Sequence, residues 1–227
     1  MSTKTKRRLI QLIKYIFLIF GSFIMIVPFV WMVSTSFKET SEIFTFPPVW
    51  IPTEPTIRGY ERLLTNGRMP FLAFFKNSFY VTVIVVFTQV FTSACAGYAF
   101  AKLKFKGKNL IFIIYLSTMM IPVHATLVPT FMVMKELHLV DTHAALIVPN
   151  IVSAFGTFLL KQFFETVPQS LCEAAKMDGA NPGRVFVSVA LPLSKPSLAT
   201  LAIFVMLSTW NDFIRPLIYL NTLKKYT

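Results

Sequence analysis

Residues 15–33 read YIFLIFGSFIMIVPFVWMV, nineteen consecutive positions without a charged side chain. A helix needs about 20 apolar residues to cross the hydrocarbon core of a bilayer, so this run predicts a transmembrane helix. It is too long for the apolar core of a signal peptide and has no small-x-small cleavage site. We therefore expect an uncleaved first span at about residues 10–33.

The remainder of the chain is also apolar. Of its 227 residues, 55% are hydrophobic and only 14% are charged, which is too little polar surface for a soluble globule of this size. Further apolar runs predict spans at about 77–101, 110–134, 144–160 and 197–220. The composition indicates an all-α, polytopic α-helical membrane protein with five visible spans, forming a single domain over residues 1–227.

Several residues predict local features of these spans. Ser93 and Gly97 form a small-xxx-small pair that favours close helix packing. Pro122 and Pro129 should break or kink the third span, and Pro149 should interrupt the fourth. The polar segment 34–76 contains several prolines and is typical of an extended loop.

The net charge of +12 is explained by membrane topology and not by nucleic-acid binding, because Lys and Arg cluster at the ends of the apolar runs. With the N-terminus inside, the inner segments carry thirteen cations against three acids, and the outer segments carry eight against six. The positive-inside rule thus predicts a cytoplasmic N-terminus and a cytoplasmic polar segment at 161–195.

This polar segment predicts two short helices joined by a turn. The first runs at about 168–178 and ends at Gly179, the expected C-terminal cap. Asn181 caps the second helix, which begins with Pro182 and continues until Pro192 ends it.

The first of these helices has two different faces. One face carries Leu171, Ala174, Ala175 and Asp178, and its alanines permit close approach of a partner or of the chain's own spans. Glu173 lies on the other face as an acceptor for an Arg of a partner. The alternative is a solvated helix in which Glu173 pairs with Lys176 at i,i+3.

Glu173-Ala174-Ala175, three residues, Gly179, and then Leu191-Pro192 twelve positions later resemble the EAA motif of permease subunits of bacterial ABC importers. The segments 195–200 and 210–213 resemble the carbohydrate-uptake branch of that family, the MalG-like inner-membrane components of binding-protein-dependent transport. The resemblance covers nearly the whole chain.

The resemblance implies the type I ABC importer transmembrane fold, with residues 165–196 as the cytoplasmic coupling loop. Its implied ATPase-coupling residues are Glu173, Ala174, Ala175, Asp178, Gly179, Leu191 and Pro192. The implied partners are a second permease subunit in a heterodimer, two copies of a cytoplasmic ATPase, and an extracellular or periplasmic solute-binding protein. The family normally has a sixth span, so a C-terminal span is expected to be missing from this sequence.

The implied function is import of a sugar or oligosaccharide across the bacterial cell membrane by alternating access. The sequence has no Gly-x-x-x-x-Gly-Lys-Ser/Thr phosphate loop, so we expect ATP and Mg to be bound by the partner ATPase and no cofactor by this chain. The chain is then a transporter subunit and not an enzyme, with no catalytic or metal-binding residues.

Four polar residues at membrane depth are candidates for the translocation path: His124, Asn150, Asn211 and Asp212. Two of them have an alternative role: His124 could cap a broken helix, and Asp212 could simply pair with Arg215 at i,i+3. Asn211 and its aromatic neighbours could bind sugar, or the aromatic rings could anchor the helix at the interface.

Two other classes of protein fit this sequence less well. A secondary, ion-coupled solute transporter should show internal repeats and intramembrane carboxylates, whereas the spans contain only Asp212 and no visible repeat. A membrane enzyme would need a nucleophile with a base, or a metal cluster. Cys95 and Cys172 belong to no ligand motif, and we expect neither a disulfide nor a metal site.

Overall fold

Every predicted apolar run contains helix in the computed structural model, which describes residues 3–65, 67 and 69–227. The chain divides into two compact units, residues 1–71 and residues 72–227, and each is described by itself. Over these described residues the regular structure is helical, which confirms the all-α prediction.

The first unit contains the long helix α1 (Thr3–Ser36), the turn α2 (Thr40–Ile43) and the short helix α3 (Arg58–Thr65). The segment after α1 folds back on the end of that helix. The Trp50 ring packs edge-on against Trp31 with centroids 4.9 Å apart, and the Lys38 ammonium lies 4.2 Å from the centre of the Trp31 ring. Helix α3 was not predicted, since segment 34–76 was expected to be extended throughout.

The second unit contains ten helices over its described residues. They are α4 (Phe71–Lys102, its first residue in the other unit), α5 (Lys108–Ser117), α6 (Val123–Glu136), α7 (Ala144–Ile147), α8 (Ala154–Thr166), α9 (Gln169–Met177), α10 (Pro182–Val185), α11 (Leu191–Leu193), α12 (Lys195–Trp210) and α13 (Ile214–Tyr219). Short 3-10 turns follow α5, α7 and α13, at Thr118–Met120, Val148–Asn150 and Leu223–Lys225, and a π-helical turn, Phe186–Ala190, joins α10 to α11.

Two helical stretches are long and apolar enough to cross a membrane alone, Ile10–Ser36 and Phe71–Lys102. Three bent pairs bring the total to as many as five, matching the predicted number. The pairs are Lys108–Met120 with Val123–Glu136, bent by 100°; Ala144–Asn150 with Ala154–Thr166, bent by 42°; and Pro182–Leu193 with Lys195–Trp210, bent by 79°. The predicted breaks near Pro122 and Pro149 are therefore confirmed.

The last predicted span, 197–220, is wrong as one continuous helix. Helix α12 ends at Trp210, and α13 begins only at Ile214. Pro216 has no N–H to bond the Asp212 carbonyl, so the helical hydrogen-bond ladder is interrupted at this position. The Asp212 carboxylate instead accepts a bond from the Arg215 backbone N–H, at 3.4 Å.

Helices α4 and α8 cross where their residues are smallest. A Cβ added to Gly97 would lie 3.0 Å from the Lys161 backbone nitrogen, and one added to Gly156 would collide with the Ser93 hydroxyl. The predicted close packing at Ser93 and Gly97 is confirmed. Around this crossing lies the core of the second unit, which includes the buried residues Val85, Tyr98, Leu160, Phe164 and Leu201.

Candidate functional site

The turn after α9 has the geometry that its sequence predicts. Gly179 adopts a φ of 83°, in the left-handed region, and its N–H donates to the Lys176 carbonyl at 3.0 Å. The Ala180 N–H donates to the Ala175 carbonyl at 2.9 Å, which completes a Schellman motif. The chain thus reverses sharply after α9, as predicted for Gly179.

We call residues 165–196 the elbow, with α9 as its first limb and residues 182–193 as its second limb. The second limb begins as predicted but ends later. The Asn181 side-chain oxygen accepts from the Arg184 N–H at 2.8 Å and caps α10. Pro192 does not end this limb, which reaches Leu193 before the bend into α12. Because Pro192 lacks an N–H, a regular helix would leave the Ser188 carbonyl unbonded. The π-helical turn before Pro192 widens the backbone there.

The face of α9 that packs inward is centred on Cys172, not on Leu171 or Ala174. Cys172 is buried with Val167 and Val185, and Ala175 packs against this small cluster. Leu171, Ala174 and Asp178 remain exposed, so the two alanines of the motif have different environments. Of these two alanines, only Ala175 contributes to packing within the chain.

The exposed side of α9 carries an acid without a partner. Within the described part of the chain, the Glu173 carboxylate makes no hydrogen bond and no ion pair, and the alternative pairing with Lys176 is not formed. The Met177 side chain beside it is 88% exposed. The elbow therefore offers a free carboxylate and apolar surface to the outside.

Two residues of α4 that sequence reasoning did not select tie the elbow to the bundle. The Lys102 ammonium donates to the Val167 carbonyl at 2.6 Å, just before the first limb. The Tyr98 hydroxyl donates to the Pro182 carbonyl at 3.3 Å, and its ring lies 4.9 Å from that of Phe186. In the sequence, these contacts are signalled only by a cation and a tyrosine near the end of a predicted span. Neither residue type indicates which partner it will bond.

The structure brings together two of the four path candidates. Asp212 and Arg215 form an ion pair at 2.5 Å, which confirms the predicted pairing. Arg215 also donates to the Asn150 side-chain oxygen at 2.5 Å, and the Asn150 amide donates to the Leu146 carbonyl at 2.7 Å. Arg215 thus joins the break after α7 to the break after α12.

The other two candidates lie outside this cluster. The Asn211 amide donates to the Leu207 carbonyl at 2.8 Å and closes the end of α12. His124 is exposed near the start of α6, where no side chain caps the helix, so its alternative role as a cap is wrong. A cavity of 40 Å³, lined in part by Ser78, Thr82 and Thr209, adjoins the Asn150–Asp212 cluster.

Broken apolar helices that meet at an internal ion pair, with a polar elbow tied to the bundle, define a helical membrane transport component. The family described as the binding-protein-dependent transport system inner membrane component matches residues 89–222, which include the elbow and the ion pair. The chain belongs to this family.

Relatives and a solved structure agree with this assignment. The chain is 31% identical over 224 residues to the polygalacturonan/rhamnogalacturonan transport system permease protein YtcP of Bacillus subtilis (strain 168), covering 97% of this chain and 76% of that protein. It is 31% identical over 210 residues to the arabinooligosaccharides transport system permease protein AraQ of Halalkalibacterium halodurans, covering 92% and 75%. A bacterial ABC transporter involved in the import of the acidic polysaccharide alginate matches with a TM-score of 0.85 and 25% identity, over 99% of this chain and 78% of that chain.

These findings confirm the resemblance drawn from the sequence. The chain is a membrane permease component of a binding-protein-dependent ABC importer, and not an enzyme. A solute-binding protein and a separate ATPase are the partners that such a component works with.

Proposed function

We propose that this chain uses its elbow, residues 165–196, to couple ATP hydrolysis by the separate ATPase to import of a sugar or oligosaccharide. The observation that carries the proposal is the unpaired Glu173 carboxylate on α9. Another face of this helix packs into the buried cluster around Cys172. A carboxylate without an internal partner is ready to accept a charge-assisted bidentate bond from an Arg of the ATPase.

The remaining residues of the motif give the elbow its shape. Gly179 permits the turn, Ala175 lets α9 pack on the Cys172 cluster, and Ala174 keeps the docking surface flat next to Glu173. Leu191 and Pro192 carry the second limb towards the bend into α12. Asp178 is the exposed C-cap residue that directly follows α9.

Motion of the elbow would reach the membrane helices by two routes. Lys102 and Tyr98 link both limbs to the end of α4, and the second limb leads through Ser194 into α12. ATP-driven closure of the ATPase pair would therefore displace α4 and α12 together. The result is a shift of population from an inward-open to an outward-open state, which the loaded solute-binding protein favours.

The proposed assembly contains a second permease subunit in a heterodimer with this chain and two copies of the ATPase. ATP and Mg²⁺ are bound by the ATPase, and this chain contributes no cofactor site. The excess of Lys and Arg in alternate segments supports a cytoplasmic N-terminus, which places the elbow in the cytoplasm.

The proposed substrate class is carbohydrate, supported by relatives whose names refer to polygalacturonan, arabinooligosaccharides and diacetylchitobiose. We propose Asn150, Asn211, Asp212 and His124 as candidates for the translocation path, of which Asn150 and Asp212 are brought together by Arg215. Asp212 is neutralised by Arg215, which disfavours ion-coupled transport driven by this carboxylate.

The coupling role is tested by replacing Glu173 with Lys. We expect loss of co-purification with the ATPase and loss of ATP hydrolysis stimulated by the loaded solute-binding protein. Gln169→Lys is the matched control, because it places the same charge on an exposed position of the same helix. Undiminished complex and undiminished stimulation in Glu173→Lys would refute the coupling role.

The substrate class is tested separately, by uptake into cells that express the complete importer. Labelled trigalacturonate, arabinotriose and diacetylchitobiose serve as probes. We expect ATP-dependent uptake of at least one, and uptake of none of them together with uptake of a non-carbohydrate solute would overturn the sugar assignment.

A further inference from the structure

Asp141 is the centre of a polar network at the turn between α6 and α7. Its backbone has a φ of 61°, a left-handed conformation that Asp tolerates better than most residues. Its N–H donates to the Tyr219 carbonyl at 2.8 Å, which joins this turn to the end of α13. The left-handed backbone directs the carboxylate at the segment that follows α13.

Both carboxylate oxygens of Asp141 are fully used. One accepts from the backbone N–H groups of Asn221 and Thr222, each at 2.9 Å. The other accepts from the Thr222 hydroxyl at 2.7 Å and from the Lys225 ammonium at 2.9 Å. The Lys225 ammonium also donates to the Asp141 carbonyl at 2.7 Å. The Asp141 side chain therefore accepts four hydrogen bonds from segment 221–225.

The same segment is held from two further directions. The His143 ring bonds the Lys225 carbonyl at 2.9 Å. The Asn77 amide of α4 donates to the carbonyls of Lys224 and Tyr226, each at 2.9 Å. Beneath the segment, Tyr219 and Leu220 are completely buried. We name this arrangement of Asn77, Asp141, His143 and residues 219–226 the clasp.

We infer that the clasp joins α4, the α6–α7 turn and the segment after α13 into one rigid body that stays closed throughout the transport cycle. The inference rests on the proposed function, because it concerns how the permease moves. Charge-assisted bonds are the stronger hydrogen bonds in proteins. Opening the clasp would break several of them at once and would expose the buried Tyr219 and Leu220. The movement of alternating access must then take place elsewhere, at the helix breaks.

The test replaces the hydrogen bond between the Asp141 and Thr222 side chains by a disulfide bond. Asp141→Cys and Thr222→Cys are combined in a background with Cys95→Ser and Cys172→Ala, so that only one disulfide can form. The Thr222 hydroxyl lies 2.7 Å from an Asp141 carboxylate oxygen, so the two side chains face each other across the contact that the disulfide would replace. The readout is vanadate-sensitive ATP hydrolysis by the reconstituted complex with its loaded solute-binding protein.

We expect the oxidised double variant to hydrolyse ATP within about twofold of the background protein, because the locked contact does not move in the cycle. Reduction should lower its activity, since the clasp then has neither its carboxylate nor the disulfide. The single variant Asp141→Cys should hydrolyse ATP slowly both with and without oxidant.

The inference is overturned if oxidation lowers ATP hydrolysis by about tenfold and a reductant restores it, because a necessary movement would then be blocked. Failure of the two cysteines to cross-link in the folded complex would equally contradict it. If the parent protein, with both of its own cysteines, shows no stimulated hydrolysis at all, the proposed function is refuted, and the inference with it, before any disulfide is formed.

Discussion

The ammonium of Lys102, in the last turn of α4, donates a 2.6 Å hydrogen bond to the carbonyl of Val167, the residue that ends α8. Val167 is buried and directly precedes the first limb of the elbow. A single side chain therefore fixes the point from which the coupling helix leaves the membrane bundle. The position of α9 is set by α4 as well as by its own chain neighbours.

Replacement of Lys102 by Met should loosen the attachment of the elbow to α4. The Val167 carbonyl would lose its charged donor, at a cost of about 1.5–3 kcal/mol. We expect the complex to assemble and retain basal ATP hydrolysis while the stimulated rate falls severalfold. Lys104→Met is the control, since Lys104 is exposed and its side chain makes no such contact with the residues that the structure describes. Equal stimulation in both variants would show that the Lys102 bond carries no coupling.

Replacement of Gly179 by Ala tests the elbow turn. No atom lies within 4 Å of a Cβ at this position, so the penalty comes from the left-handed backbone alone, about 1–2 kcal/mol. We expect faster cleavage by trypsin at Lys176 or Arg184 and weaker binding of the ATPase. Gly183→Ala is the control because Gly183 has an ordinary helical backbone. An unchanged cleavage rate in Gly179→Ala would contradict the strain argument.

The contacts of Arg215 with Asn150 and Asp212 are expected to stabilise the fold. Arg215→Met removes the guanidinium that pairs with the partly buried Asp212 carboxylate and donates to the Asn150 amide oxygen, which should cost about 1–3 kcal/mol. Thermal unfolding in detergent should detect this loss. Combining it with Asp212→Asn should recover part of it, because the uncompensated charge is removed.

Arg184→Met provides the comparison for that measurement, since Arg184 is an exposed cation whose side chain has no partner among the described residues. A double variant that is less stable than the sum of its single changes would argue against an unpaired charge as the cause.

The clasp predicts a defined pH dependence. Hydrogen bonds from Thr222, then from Asn221 and Lys225, hold the pKa of the Asp141 carboxyl well below its usual range. Because the folded pKa is depressed, the stabilising contribution is complete above the unfolded pKa and is lost only as pH falls towards the folded value. The contribution should therefore be constant at neutral and mildly acidic pH.

We expect the difference in Tm between the parent and Asp141→Asn to be the same from about pH 8 to pH 5, and to shrink below about pH 4, the ordinary range of an aspartate. The measurement is thermal unfolding of the purified protein across this range. A difference that disappears near pH 6 would mean that a group other than Asp141 governs the pH dependence of the clasp.

Local patterns in the sequence were enough to predict the helical class, the breaks near Pro122 and Pro149, the cap at Asn181 and the reversal at Gly179. Each depends on residues within one or two turns of each other, where the geometry of a helix or its cap relates spacing to position. The small pair Ser93 and Gly97 also indicated a close crossing, although not the identity of the opposite helix.

Contacts between distant segments could not be predicted in this way. Asn150 and Arg215 are 65 positions apart, as are Lys102 and Val167, and Asp141 and Thr222 are 81 apart. Nothing in the spacing of such residues specifies that they meet. The break between α12 and α13 was missed because apolar residues on both sides of it suggested one continuous span, although Asn211, Asp212 and Pro216 lie at or just after the break.

The amino-acid sequence by itself therefore determined the membrane environment, the helices and the shape of the EAA elbow, because hydrophobic length and local hydrogen bonding are properties of neighbouring residues. The tertiary structure decided which face of α9 is packed, what holds the elbow to α4, and which polar residues meet inside the bundle. Those outcomes depend on how whole helices pack against one another. They are properties of the assembled bundle and not of any one segment.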